Sequence, residues 1–167
     1  IVAKRIKMTA MPQLVSIFNA TGGAASALVA LMEYSNPINE SALVTLLGLV
    51  IGTIAFSGSM VAYGKLDGKI GDIFAKWTTY FNLFLLAVIA AIMVYMLAFD
   101  HSMATQITLS YVLLVVALIY GIMFVMPIGG ADMPVVISLL NSLTGIAAAM
   151  AGFIYNNQAM ILGGIFV

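Results

Sequence analysis

Cysteine is absent from all 167 residues, and Asp, Glu, Lys and Arg together make up only 7% of them. The first absence excludes thiolate chemistry and a disulfide framework, and leaves the redox compartment unread. The second excludes a soluble domain of this size, because a soluble surface draws on about a quarter charged residues. With one histidine and six acidic residues there is little material for a metal site. The formal net charge is zero, so no basic excess points to nucleic acid. What remains is apolar: 63% of the residues are hydrophobic and the mean hydropathy is +1.16.

Crossing about 30 Å of hydrocarbon takes roughly 20 apolar residues in a helix, which satisfies its own backbone hydrogen bonds in lipid. Residues 13–32, 42–63, 77–99, 107–126 and 135–155 meet that requirement, and none of these stretches contains Asp, Glu, Lys, Arg or His. A sixth apolar run, 159–167, starts near Ala159 and is cut short. The expectation is an all-α, polytopic transmembrane helix bundle with five complete spans and a truncated sixth. Residues 1–167 then form one transmembrane domain fragment of a longer chain.

Charge placement orients the bundle. All six basic residues lie in two groups, Lys4/Arg5/Lys7 and Lys65/Lys69/Lys76, which fall on one side once five spans alternate. The other side carries Glu33, Glu40, Asp100 and His101 without Lys or Arg. The positive-inside rule puts the basic loops and the 127–134 loop in the cytoplasm. Tyr34, Tyr63, Trp77, Tyr80 and Tyr155 stand near span ends, as residues of an aromatic belt would.

Helices in lipid associate through small residues and a few polar ones. The second span carries Thr45, Gly48, Gly52, Ala55, Ser59 and Ala62 at helical spacing, with Gly48 and Gly52 forming a GxxxG. The fifth carries Ser138, Asn141, Gly145, Ala148 and Gly152; the first carries Ser16, Asn19, Gly23, Ser26 and Ala30. The third and fourth are mostly bulky. Spans one, two and five are therefore expected inside, with three and four peripheral. The Gly22-Gly23 pair is the one expected interruption of a helix.

Asn19 and Asn141 sit in mid-span, where an amide needs a partner. They are either interhelical glue or the lining of a hydrated path. They can hold water but cannot titrate, so a proton relay through these spans needs an ionisable group from another segment or subunit. Asp132, with Pro134 in the turn that follows, is either an ordinary N-cap or a charge at the cytoplasmic mouth. His101 reads as an exterior loop histidine, and the twelve Met as flexible apolar filler.

Three runs carry a family resemblance: Lys7 to Val15, Gly52 through Phe56 to Leu66, and Gly129-Gly-Ala-Asp-Met-Pro-Val-Val-Ile-Ser-Leu-Leu-Asn-Ser142. They resemble the membrane domain of the β subunit of the proton-translocating NAD(P) transhydrogenase, and the match continues from Gly145 to Phe153. That resemblance implies a subunit of an enzyme that couples hydride transfer between NADH and NADP⁺ to inward proton movement. It implies soluble domains that bind NAD(H) and NADP(H), and no cofactor in this fragment, which lacks a Gly-x-Gly-x-x-Gly run. The implied partners are α-type membrane and NAD(H)-binding subunits, the chain's own C-terminal NADP(H)-binding domain, a second copy of the assembly, and membrane lipid. The implied location is the bacterial inner membrane.

Residue by residue, Asn141 matches a proton-path Asn, Ser59 a second-span Ser, and Asp132 the acidic residue of the loop facing the nucleotide domain. Asn19 stands where many members have a proton-handling His, a departure that leaves the relay incomplete in this chain. The other readings are a secondary transporter, which would show broken helices and repeats about a midplane site, and a non-catalytic membrane scaffold.

Overall fold

The computed structural model describes residues 10–34, 42–71, 77–99 and 102–167. The basic residues Lys4, Arg5, Lys7 and Lys76, and also Glu40, Asp100 and His101, lie outside the described residues. Among the described residues six helices follow in order: α1 Met11–Tyr34, α2 Ala42–Leu66, α3 Trp77–Ala98, α4 Met103–Val125, α5 Met133–Ile154 and α6 Gln158–Ile165. A single 3₁₀ turn, Gly130–Asp132, precedes α5. Five of the six are long and apolar enough to cross a membrane. The chain is an all-α bundle of an integral membrane protein.

Local chemistry sets the helix ends. Ser102 caps α4 by accepting from Thr105 N, and Asn157 caps α6 by accepting from Ala159 N and Met160 N at 3.0 and 3.2 Å. The end of α2 is a Schellman turn: Lys69 N bonds Gly64 O at 2.9 Å and Gly68 N bonds Lys65 O at 3.0 Å, with Gly68 at φ 72°. Only glycine adopts that conformation without strain. We expect Gly68→Ala to lower the stability of the solubilised protein by about 1 kcal/mol. An unchanged thermal midpoint would mean that the turn has another stable form.

Packing places α2 at the centre. It is buried along most of its length and meets α1, α4 and α5. The tightest crossing is with α1: a Cβ on Gly52 would lie 2.9 Å from Ala27 N and from Gly23 O, and one on Gly23 would lie 2.8 Å from Gly52 O. Here the two backbones touch. Spans one, two and five do form the inner cluster, as the small-residue stripes predict.

Four expectations need correction. The fourth span is not peripheral, because Ser110, Leu113, Ala117, Gly121 and Val125 form a buried stripe and Gly121 packs on Ile54 and Ser57 of α2. Only α3 is outlying. It rests on α4, helped by Asn82 Nδ2 donating to Met123 O at 3.1 Å, and turns Tyr80, Leu83, Phe84 and Val94 outward. Second, Gly145 and Gly152 face α6, not α1 or α2: their Cβ positions would meet Gly164 O at 2.6 Å and Ile161 N at 2.7 Å. The α5 face against α2 is instead built from Met133, Val136, Ile137 and Leu140, packed with Val61, Ala62 and Val125. Third, Tyr34 is buried among Ala30, Leu46 and Leu49 and is no belt residue. Fourth, α1 runs through Gly22-Gly23 unbroken, since the glycines serve close approach and their backbone bonds stay intact.

Candidate functional site

The interior of a membrane bundle can hold polar groups only where they find partners, so its buried polar atoms mark whatever chemistry it has. Three of the buried polar residues, Ser16, Asn19 and Ser59, come together with Thr144 where α1, α2 and α5 meet. Asn19, only 5% exposed, donates from Nδ2 to Ser59 Oγ at 3.0 Å. Ser16, one turn earlier on α1, donates to Ser59 O at 2.7 Å. From α5, Thr144 Oγ1 lies 3.1 Å from Leu140 O and 3.5 Å from Asn19 O. The close contact of Gly23 with Gly52 lets these short side chains reach across.

One atom in the cluster is left over. Asn19 Oδ1 is buried with no hydrogen-bond partner. A buried acceptor without a donor costs about 1–3 kcal/mol, so an atom of this kind marks a place for water or for a donor from outside. The space is there. Asn19, Asn141, Thr144, Gly145, Gly164 and neighbouring apolar side chains line a cleft of about 310 Å³ between α1, α5 and α6. A water occupies about 30 Å³, so several fit. The structure thus brings Asn19 and Asn141 to one cleft and sets Ser59 behind Asn19, fully buried.

Asp132 is far from this cleft. It is exposed in the 3₁₀ turn before α5, nine residues ahead of Asn141, which is roughly 14 Å along a helix. It occupies the N-cap position, but its side chain makes no capping hydrogen bond. The position is the N-cap expected from the sequence, without the side-chain bond that such a cap commonly makes. Of the two GxxxG glycines, Gly52 makes the crossing that holds the cluster. Gly48 has more room, 3.3 Å from Met150 Cβ.

Sequence reasoning missed three contributors. Ser16 and Thr144 were legible only as small polar residues, since nothing in the spacing says which serine meets which carbonyl. The third is Lys65, which reads as an ordinary membrane-end cation. Lys69 behaves as one: it is exposed and bonds Asp67 at 2.6 Å, and that hydrogen bond, followed by the carboxylate charge, raises its pKa above the usual lysine value. Lys65 is only 7% exposed, and its Nζ donates to Met126 O at 2.6 Å and Ile128 O at 2.7 Å.

The cluster consists of amides and hydroxyls that donate and accept but do not titrate. Fold and site together define an integral membrane helix bundle with a mostly apolar cleft that carries two amides and a hydroxyl and no ionisable group. The chain belongs to the NAD(P) transhydrogenase beta subunit family, whose profile matches residues 1–167. It is 39% identical to the NAD(P) transhydrogenase subunit beta of Rhodospirillum rubrum, and equally to the subunit of the same name from a defined strain of that organism. Each alignment runs over 178 residues, covers 100% of this chain and 38% of the relative. The chain therefore spans 38% of the length of those relatives.

Proposed function

We propose that this chain forms the membrane proton path of a proton-translocating transhydrogenase, coupling proton movement to hydride transfer between NADH and NADP⁺. The hydride chemistry belongs to separate soluble domains that hold NAD(H) and NADP(H). The membrane partners are α-type helices, and the complete assembly pairs as a dimer in the bacterial inner membrane. The basic loops and the 127–134 loop face the cytoplasm. The observation that carries this reading is that Asn19, whose buried Oδ1 has no hydrogen-bond partner, lines one cleft together with Asn141. The unbroken α1 weighs against a secondary transporter built on interrupted helices.

Because neither amide titrates, the proton-storing group comes from a partner helix, with Asn19 and Asn141 ordering water around it. Gating requires that each nucleotide state favour one of two arrangements of the path, and Asp132 at the cytoplasmic end is suited to sense that state. The test is proton uptake by vesicles containing the full enzyme with Asn141→Leu, with assembly followed by gel filtration. We expect uptake per hydride transferred to fall at least ~10-fold, equivalent to about 1.4 kcal/mol, in an enzyme that assembles normally. Unchanged uptake would remove Asn141 from the path.

A further inference from the structure

A lysine at the end of a membrane helix normally extends its ammonium to the headgroups and leaves only its methylene stem in the apolar region. Lys65 turns the other way. Its ammonium is inside the protein, bonded to the carbonyls of Met126 and Ile128. Met126 is the C-cap of α4, and the last carbonyls of a helix have no intrahelical donor and carry the negative end of its dipole. Charge-assisted bonds of this kind are roughly twice as strong as neutral ones. The segment so held is the short connection from α4 to the 3₁₀ turn that carries Asp132.

The other end of the connection is equally defined. Lys65 sits six residues after Ser59 on α2, roughly 9 Å along one rigid helix. Ser59 holds Asn19 and Ser16. One residue beyond Lys65, Leu66 O accepts from Gln13 Nε2 of α1 at 2.9 Å. The cytoplasmic-end turn and the buried cluster are thus fastened to the same helix, with α1 fastened at both levels. No other described lysine has a buried ammonium.

We infer that Lys65 is a positioning residue that locks the 126–132 connection to α2, so that displacement of the Asp132 turn is transmitted through α2 to the Asn19–Ser59 pair. The inference rests on the proposed proton path and adds the element through which its cytoplasmic end acts. The physical requirement is a connection that moves as one body with α2, and two short ammonium–carbonyl bonds supply it. Cutting them frees the turn from α2 while leaving the amides of the cleft in place.

The absence of cysteine from this chain makes the test direct. Met133, fully buried against Val125 and Val61 just beyond the turn, is replaced by Met133→Cys in the full enzyme, with any cysteine outside residues 1–167 changed to serine. Maleimide labelling of that thiol then reports opening of the connection. Proton uptake and hydride transfer are measured in the same vesicles for wild type, Lys65→Met and Lys65→Gln. In Lys65→Met we expect labelling to accelerate about tenfold and uptake per hydride to fall about tenfold. Lys65→Gln, which keeps an N–H donor but no charge, should lie between. A defect in assembly alone lowers uptake and hydride transfer together and leaves their ratio unmoved.

Labelling at the wild-type rate in both variants would overturn the inference whatever the path is. Faster labelling with an unchanged ratio would overturn it too, by showing that the turn and the cluster are not linked. If Lys65→Met does not assemble, Lys65→Gln decides on the same two readouts. Should Asn19→Leu and Asn141→Leu leave uptake intact while Lys65→Met disrupts it, the proposed path fails and the Lys65 lock stands.

Discussion

Gly52→Leu is expected to abolish assembly of the membrane domain, whereas Gly48→Ala is expected to be tolerated. The two glycines form one sequence motif but meet different surroundings. At Gly52 the atoms nearest a new Cβ are backbone, Ala27 N and Gly23 O at 2.9 Å and Ala27 Cα at 3.3 Å. Backbone cannot rotate aside, so α1 and α2 must separate. Overpacking in a well-packed interior costs about 1–3 kcal/mol when side chains can adjust, and here they cannot. The separation also removes the bonds from Asn19 and Ser16 to Ser59. At Gly48 the first contacts are side-chain carbons, Met150 Cβ at 3.3 Å and Ala30 Cβ at 3.6 Å, which a shift of a few tenths of an ångström relieves. Gel filtration of the detergent-solubilised enzyme decides the matter. A Gly52→Leu enzyme eluting like wild type with full activity would mean that α1 and α2 do not cross as described.

The second large effect is expected from Asn19→Leu, and it is of the opposite kind: normal assembly with loss of proton coupling. Leu has the same branched skeleton of four side-chain heavy atoms as Asn, and α1 meets α2 through Gly23, so the crossing survives. What disappears is the donor to Ser59 Oγ and the acceptor Oδ1. An apolar side chain on that wall leaves any water in the cleft with Asn141 and Thr144 alone, and a buried water needs about three partners. Under the proposed function, uptake per hydride in vesicles should fall at least ~100-fold, about 2.7 kcal/mol. Loss of that size together with an unchanged gel-filtration profile identifies a path residue. A stable enzyme with normal uptake would return Asn19 to the role of packing residue.

Much of the bundle was legible because lipid imposes a simple rule. A segment either satisfies its own backbone over 30 Å or does not cross, so the helices Met11–Tyr34 to Met133–Ile154 fall within a few residues of the apolar runs. The inner position of α1, α2 and α5 was legible for a related reason, since close approach needs small residues. The error over α4 shows the limit of that reasoning. Gly121 and Ala117 stand among Leu, Ile, Val and Phe, and a count of bulky residues along the whole helix hides one narrow face that is small.

The sequence by itself determined the class of the protein, its helices, the scarcity of ionisable groups in the spans and the family, because each depends on composition along one segment or on a contiguous motif. Only the tertiary structure decided which partners the polar residues take. That Asn19 meets Ser59 and shares a cleft with Asn141, that Gly145 and Gly152 serve α6, and that Lys65 turns inward are facts about how helices rotate against one another. A rotation of a few tens of degrees about a helix axis moves a side chain from lipid to protein without changing its spacing along the chain. Periodicity constrains which residues share a face; the packing of the whole bundle decides what that face meets.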